Sequence, residues 1–128
     1  MKSKQVLSIE QMKHLQELGL DTSDASMCIE WRESDESKKV VASLDADTYY
    51  DYYYETYTLQ DILDKLPEFI QTYDLYIFKK VGLWWLKYVD VTNNGTVHLE
   101  KMPRLIDAAY YMLCWCIGKG YVKVNKEE

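Results

Sequence analysis

Cysteine, proline and histidine are nearly missing from this 128-residue chain, which holds three Cys, two Pro and two His. Cys28, Cys114 and Cys116 are an odd number and too few for a disulfide framework. Cys114 and Cys116 flank Trp115, and on a helix residues two apart lie about 200° apart around the axis, so the thiols diverge. No Cys or His stands at zinc-finger spacing, and the thiols read as small apolar residues of a buried helix. Phosphate-cradling glycine loops, nucleophile elbows and HExxH pairs are absent, and the five glycines read as caps or turns. No cofactor and no metal is therefore expected. No window approaches the eighteen or so uncharged apolar residues of a membrane span. The opening MKSKQVLSIEQ returns to charge too soon for a secretory signal, so the expected setting is cytoplasmic, with no membrane partner.

Apolar residues make up 48% of the chain and aromatics 14%, a composition that folds, and the length predicts a single domain over 1–128. The net charge of −6 is uneven. Residues 1–20 carry +1 and residues 75–128 carry +3, whereas residues 21–74 hold fourteen acids against four bases, a local −10. A middle segment of that sign repels a phosphate backbone and suits a basic partner.

Ser8 begins a capping box, with Leu7 placed to staple onto Met12. Ile9, Met12, Leu15 and Leu18 form an apolar stripe that ends at Gly19, with Leu20 closing the C-terminal contact. Met27, Ile29 and Trp31 alternate with polar residues, as do Val40, Ala42 and Leu44, and the two runs predict a hairpin. Thr58 caps a second helix whose apolar positions are Leu59, Ile62, Leu63 and Leu66, stopped by Pro67.

Residues 74–101 read as a Trp-rich meander with loops Lys80-Val81-Gly82 and Asn93-Asn94-Gly95, each ending in glycine as a three-residue hairpin loop prefers. That register opposes Val91 to Val97, Val89 to Leu99 and Asp90 to His98. It places Leu75, Ile77, Leu83, Trp85, Val89, Val91, Val97 and Leu99 on the core face. Tyr76, Phe78, Trp84, Leu86 and Tyr88 fall on the other, too aromatic to face water uncovered. The last helix, about 104–117, has only Arg104, Asp107 and Tyr111 as a polar stripe. Such a helix is central in a core or shared with another subunit, which predicts a homo-oligomer. Residues 121–124 predict a short edge strand. The whole is an α+β domain: an antiparallel sheet of about four to six strands, the C-terminal helix packed across it, and two shorter helices.

YTLQDILDKLP, the Trp-containing meander and AAYYMLCWCIGKGYVK, in this order, resemble a set of small uncharacterised proteins of gut Bacteroides-type bacteria, often carried on prophages and other mobile elements. IEQMKHLQELGLDTSDASMC is similar to theirs as well. The resemblance implies a bacterial or phage origin and a cytosolic setting, and no activity.

DTYYDYYYETYT, residues 47–58, holds six of the twelve tyrosines, Tyr49, Tyr50, Tyr52, Tyr53, Tyr54 and Tyr57, with Asp47, Asp51 and Glu55 between them. Rings interleaved with carboxylates suit the cationic side chains of a basic protein and repel a phosphate chain, so these nine residues form the candidate partner site and nucleic acid is not expected as a partner. The competing expectation is structural, an extended cover over the aromatic face of the sheet with its acids in water. The leading function is a non-enzymatic accessory or protein-interaction domain of a mobile element. One alternative is an acidic decoy for a nucleic-acid-binding protein. The other is a small enzyme in which Asp90 orients His98 as a general base.

Overall fold

The computed structural model describes residues 4–31, 38–42 and 52–124. In chain order the elements are α1 (Ile9–Glu17), β1 (Met27–Trp31), β2 (Lys38–Ala42), β3 (Tyr52–Thr56), α2 (Leu59–Lys65), β4 (Phe69–Ile70), β5 (Tyr73–Lys80), β6 (Leu83–Asp90), β7 (Gly95–Met102) and α3 (Leu105–Gly118). The strands form two antiparallel sheets, one of three strands in the order β2-β1-β3 and one of four in the order β4-β5-β6-β7. The fold is α+β, with the C-terminal helix on the four-stranded sheet.

The helix ends follow their local chemistry. The Ser8 and Thr58 side chains accept from the backbone N–H of Gln11 and Asp61, whose side chains accept in turn from the cap backbones. Both capping boxes satisfy donors a helix start leaves orphaned. Gly19 adopts φ 99°, Leu20 N–H reaches the Leu15 carbonyl at 3.1 Å, and Gly19 N–H reaches Gln16 at 2.9 Å. These are the two bonds of a Schellman cap. The same pair closes α3, where Tyr121 N–H bonds to the Cys116 carbonyl at 2.8 Å and Gly120 N–H to Ile117 at 3.0 Å. Residues 121–124 are therefore the tail of a helix cap and not the expected edge strand; Tyr121, Val122 and Val124 pack on the core.

α3 is the centre of the molecule. Ile106, Ala108, Ala109, Tyr110, Met112, Leu113, Cys116 and Ile117 are all buried, against β6 and β7 on one side and α2 on another. Asp107 accepts from Lys4 at 2.7 Å and from Gln11 at 3.1 Å, tying α3 to α1 and the segment before it. Each buried aliphatic side chain here contributes about 1.5–3 kcal/mol. Most of the apolar circumference of α3 is buried inside one chain, with Leu105, Cys114 and Trp115 part-exposed and Tyr111 exposed.

The meander departs from its expected register at both turns. The first is a two-residue turn, with Lys80 opposite Leu83 and with Val81 and Gly82 at φ 54° and 74°. Positive φ at both central residues is a type I′ turn, whose twist suits a hairpin. A valine there is a rare, strained choice, and the sequence argument for a three-residue loop rested instead on glycine at its third position. The second turn closes at Asp90–Gly95. The Asp90 carboxylate accepts from Thr92 N–H at 2.9 Å and from its hydroxyl at 2.6 Å, and Asn94 takes φ 58°. The strands then slip by one residue between Tyr88 and Val89, a bulge that leaves Val97 without an opposite residue.

A one-residue slip exchanges the two faces of a strand. Leu86 and Tyr88, expected on the outer face, are fully buried under α3, and Trp85 lies on the outer face in register with Phe78. Val91 and Val97, expected in the core, are exposed.

Candidate binding surfaces

The structure divides the tyrosine run. Asp47, Tyr49, Tyr50 and Asp51 lie outside the described residues. Tyr52 and Tyr53 enter β3 opposite Trp31 and Glu30 of β1. Tyr54 is half-buried, and its hydroxyl donates to Gln16 Oε1 at 2.6 Å. Thr56 is buried, its hydroxyl donating to the Leu7 carbonyl at 2.7 Å. Tyr57 has no exposed surface and offers no ring to a partner. The described part of the run is thus a strand of the three-stranded sheet packed against α1, and it does not form a cover on the meander.

Beside it lies an open cleft of about 320 Å³ lined by Asp24, Tyr57, Asp61, Asp64 and Lys65. Its groups are already engaged. Tyr57 Oη donates to Asp24 Oδ1 at 2.8 Å, Lys65 Nζ bonds to the other oxygen of Asp24, and that ammonium lies 5.2 Å from the Tyr57 ring centroid. Burial, then the Asp24 carboxylate, pushes the Tyr57 hydroxyl far above its ordinary value. Burial would raise the Asp61 carboxyl too, but hydrogen bonds from Ser26 and Thr58 prevail and hold it below the usual carboxylate range. Glu55 is raised, first by burial and then by Asp21 and Asp24. Glu55, Asp21 and Asp24 therefore feel one another on this side of the molecule. No cluster of metal-ligand type occurs among the described residues.

The outer face of the four-stranded sheet differs in kind. Pairing places Phe69 and Asp74, Tyr76 and Lys87, Phe78 and Trp85, and Lys80 and Leu83 side by side, with Leu99 and Lys101 continuing the last strand. Phe78 and Trp85 stack with ring centroids 5.7 Å apart and planes 17° apart. Lys87 Nζ lies 5.5 Å from the Phe78 ring and Lys101 Nζ 4.9 Å from the Trp85 ring. The Trp85 indole N–H donates to the Lys80 carbonyl at 3.1 Å, which fixes the ring. Tyr76 is 47% exposed and Phe69 65%. This is a platform of rings with ammonium groups at its rim. Sequence reasoning missed it because its register put Trp84, Leu86 and Tyr88 on this face. The two-residue Val81-Gly82 turn would have aligned Lys87 and Lys101 with the rings.

The opposition of Asp90 to His98 is not formed. Asp90 pairs with Gly95 and its carboxylate is held by Thr92, whereas His98 lies opposite Tyr88. The His98 ring stacks on Trp115 at 4.4 Å, with Nε2 3.8 Å from Glu100. The cysteines behave as core residues: Cys116 is buried beside the Tyr88 hydroxyl, and burial pushes its thiol up to about 11.

Set against known proteins, the chain matches no family model, no curated protein and no solved structure. Among the described residues no helix is long and apolar enough to cross a membrane.

Proposed function

We propose that this protein is a non-enzymatic interaction domain, an accessory protein of a bacterial mobile element acting in the cytoplasm, and that it binds its partner through the outer face of the four-stranded sheet. The observation that carries the reading is the Phe78–Trp85 stack, part-exposed, with Lys87 and Lys101 over its rings. Inner-face rings are treated differently: Tyr88 is fully buried and its hydroxyl is satisfied by the Pro67 carbonyl at 2.7 Å. Rigid rings give contact area at low entropy cost, and the lysines select a partner carrying negative charge. The test is capture from bacterial lysate by the natural protein and by a Phe78→Ser/Trp85→Ser variant that keeps its circular dichroism. Removing hot-spot rings costs at least about 2 kcal/mol, a weakening of roughly 30-fold, so the variant is expected to lose a partner the natural protein retains. Identical capture by both would contradict the reading.

One observation favours a second reading. The cleft is lined by three carboxylates, Asp24, Asp61 and Asp64, against the single ammonium of Lys65. That side would suit a basic protein, or a nucleic-acid-binding protein for which it acts as a decoy. Added duplex DNA displaces the partner from a decoy and leaves an ordinary docking contact intact.

A further inference from the structure

We infer that the ligand of the outer sheet face is single-stranded nucleic acid, its bases stacking on Tyr76, Phe78 and Trp85 and its phosphates meeting Lys80, Lys87 and Lys101. The inference rests on the reading of this face as the binding surface and names the class of partner. Two features of the face select it. The rings stand on neighbouring strands, Phe78 directly opposite Trp85 and stacked on it, with Tyr76 two residues along β5, and the Phe78 and Trp85 rings are otherwise met by lysine ammonium groups alone among the charged side chains described. Every base has a π-face, so such a platform accepts bases of any sequence. The cations stand where a stacked chain would run: Lys87 and Lys101 sit within 5.5 Å and 4.9 Å of the ring centroids, and Lys80 extends the same face at the turn. An exposed ammonium–ring contact is weaker than base stacking, so an arriving base displaces the ammonium from the ring and leaves it beside the phosphate.

The alternatives match less of the surface. A duplex hides its base faces, and the helix that backs this sheet, α3, lies on the opposite face, so nothing here enters a groove. An acidic peptide matches the lysines but brings no flat π-surface to set against a ring in place of an ammonium, as a base does. Sheets of four antiparallel strands with exposed aromatics are a recurrent solution for unpaired bases. Of the described acids of the middle segment, Asp24, Asp61 and Asp64 line the cleft, and Asp74 is the one carboxylate among the described residues that the strand pairing places on this face. At physiological salt, charges beyond about 8 Å are largely screened, which lets the local sign decide.

The test is a titration of the full chain with labelled oligo(dT), oligo(U), a duplex and a glutamate–tyrosine copolymer, across roughly 50–200 mM salt. The expected result is binding of both single strands with a log–log salt slope of about −2, a loss of about 20-fold over that range, as three lysines on a single strand require. Trp85→Ala weakens binding about 10-fold or more, and Trp85→Phe recovers most of it. If Trp85→Ala is poorly folded, Lys87→Gln/Lys101→Gln serves instead, keeping the rings and flattening the slope to about −1. Binding of the copolymer but not of either single strand, abolished by the same variants, overturns the nucleic-acid inference and leaves the docking face standing. Binding of no probe, or binding that none of these variants alters, overturns both.

Discussion

The Tyr57 hydroxyl donates to Asp24 while the Lys65 ammonium rests against its ring, and the side chain has no exposed surface. In the sequence it is one tyrosine among six; in the structure it is a pillar between β3 and α2. Tyr88 and Tyr110 are buried as well, and burial leads the causes that raise the hydroxyls of all three above the ordinary 10.0. A group whose folded pKa is raised contributes stability that is complete below its unfolded value and is lost as pH rises beyond it. Folding stability should therefore hold to about pH 10 and fall steeply above it. A spectroscopic titration of phenolate should show the exposed tyrosines ionising first and these three only with unfolding. Smooth ionisation of all the tyrosines together, with the fold intact, would contradict this placement.

At the scale of elements, the turn at Val81-Gly82 decides which residues the sheet shows to solvent. Val81 is 86% exposed at φ 54°, so its side chain gains nothing from packing and its backbone is strained. Val81→Asn gives the Asn-Gly pair that type I′ turns prefer and should stabilise the protein by about 1 kcal/mol, read as a higher urea midpoint with unchanged slope. A lower midpoint would contradict the turn. This hairpin also shows what the sequence does and does not disclose. Helices were legible because their ends carry short-range chemistry: the Ser8 and Thr58 boxes and the Gly19 cap form as their residues demand. The two-residue β4 was not legible, and the alternation at residues 121–124 belongs to a helix cap, whereas the longer strands were legible from alternation. Register was not, because a strained valine occupies the turn and an Asp90 side chain, not a backbone rule, organises the next one. The lysine-rimmed platform depends wholly on register, so it stayed hidden, and the tyrosine run drew attention by composition alone.

For the whole molecule, the uneven charge of the sequence becomes a division of surfaces. Among the described residues Asp24, Asp61 and Asp64 stand around Tyr57, the outer sheet face carries Lys80, Lys87 and Lys101, and α3 is packed between the four-stranded sheet and α2. The core is one cluster running from Leu7 through Leu86 to Ile117, and the three-stranded sheet meets it through the half-buried Tyr54. The central claim is that the outer sheet face is where this protein meets its partner. The most direct measurement is the set of tryptophan indole N–H signals during titration with oligo(dT). Trp85 lies on the platform with its indole bonded to Lys80, while Trp115 belongs to α3 and stacks on His98 at 4.4 Å. The account predicts that the Trp85 signal moves in proportion to bound strand and that the Trp115 signal stays. A Trp85 signal that stays fixed under an excess of strand, or movement confined to Trp115 and the residues of β3, would contradict it.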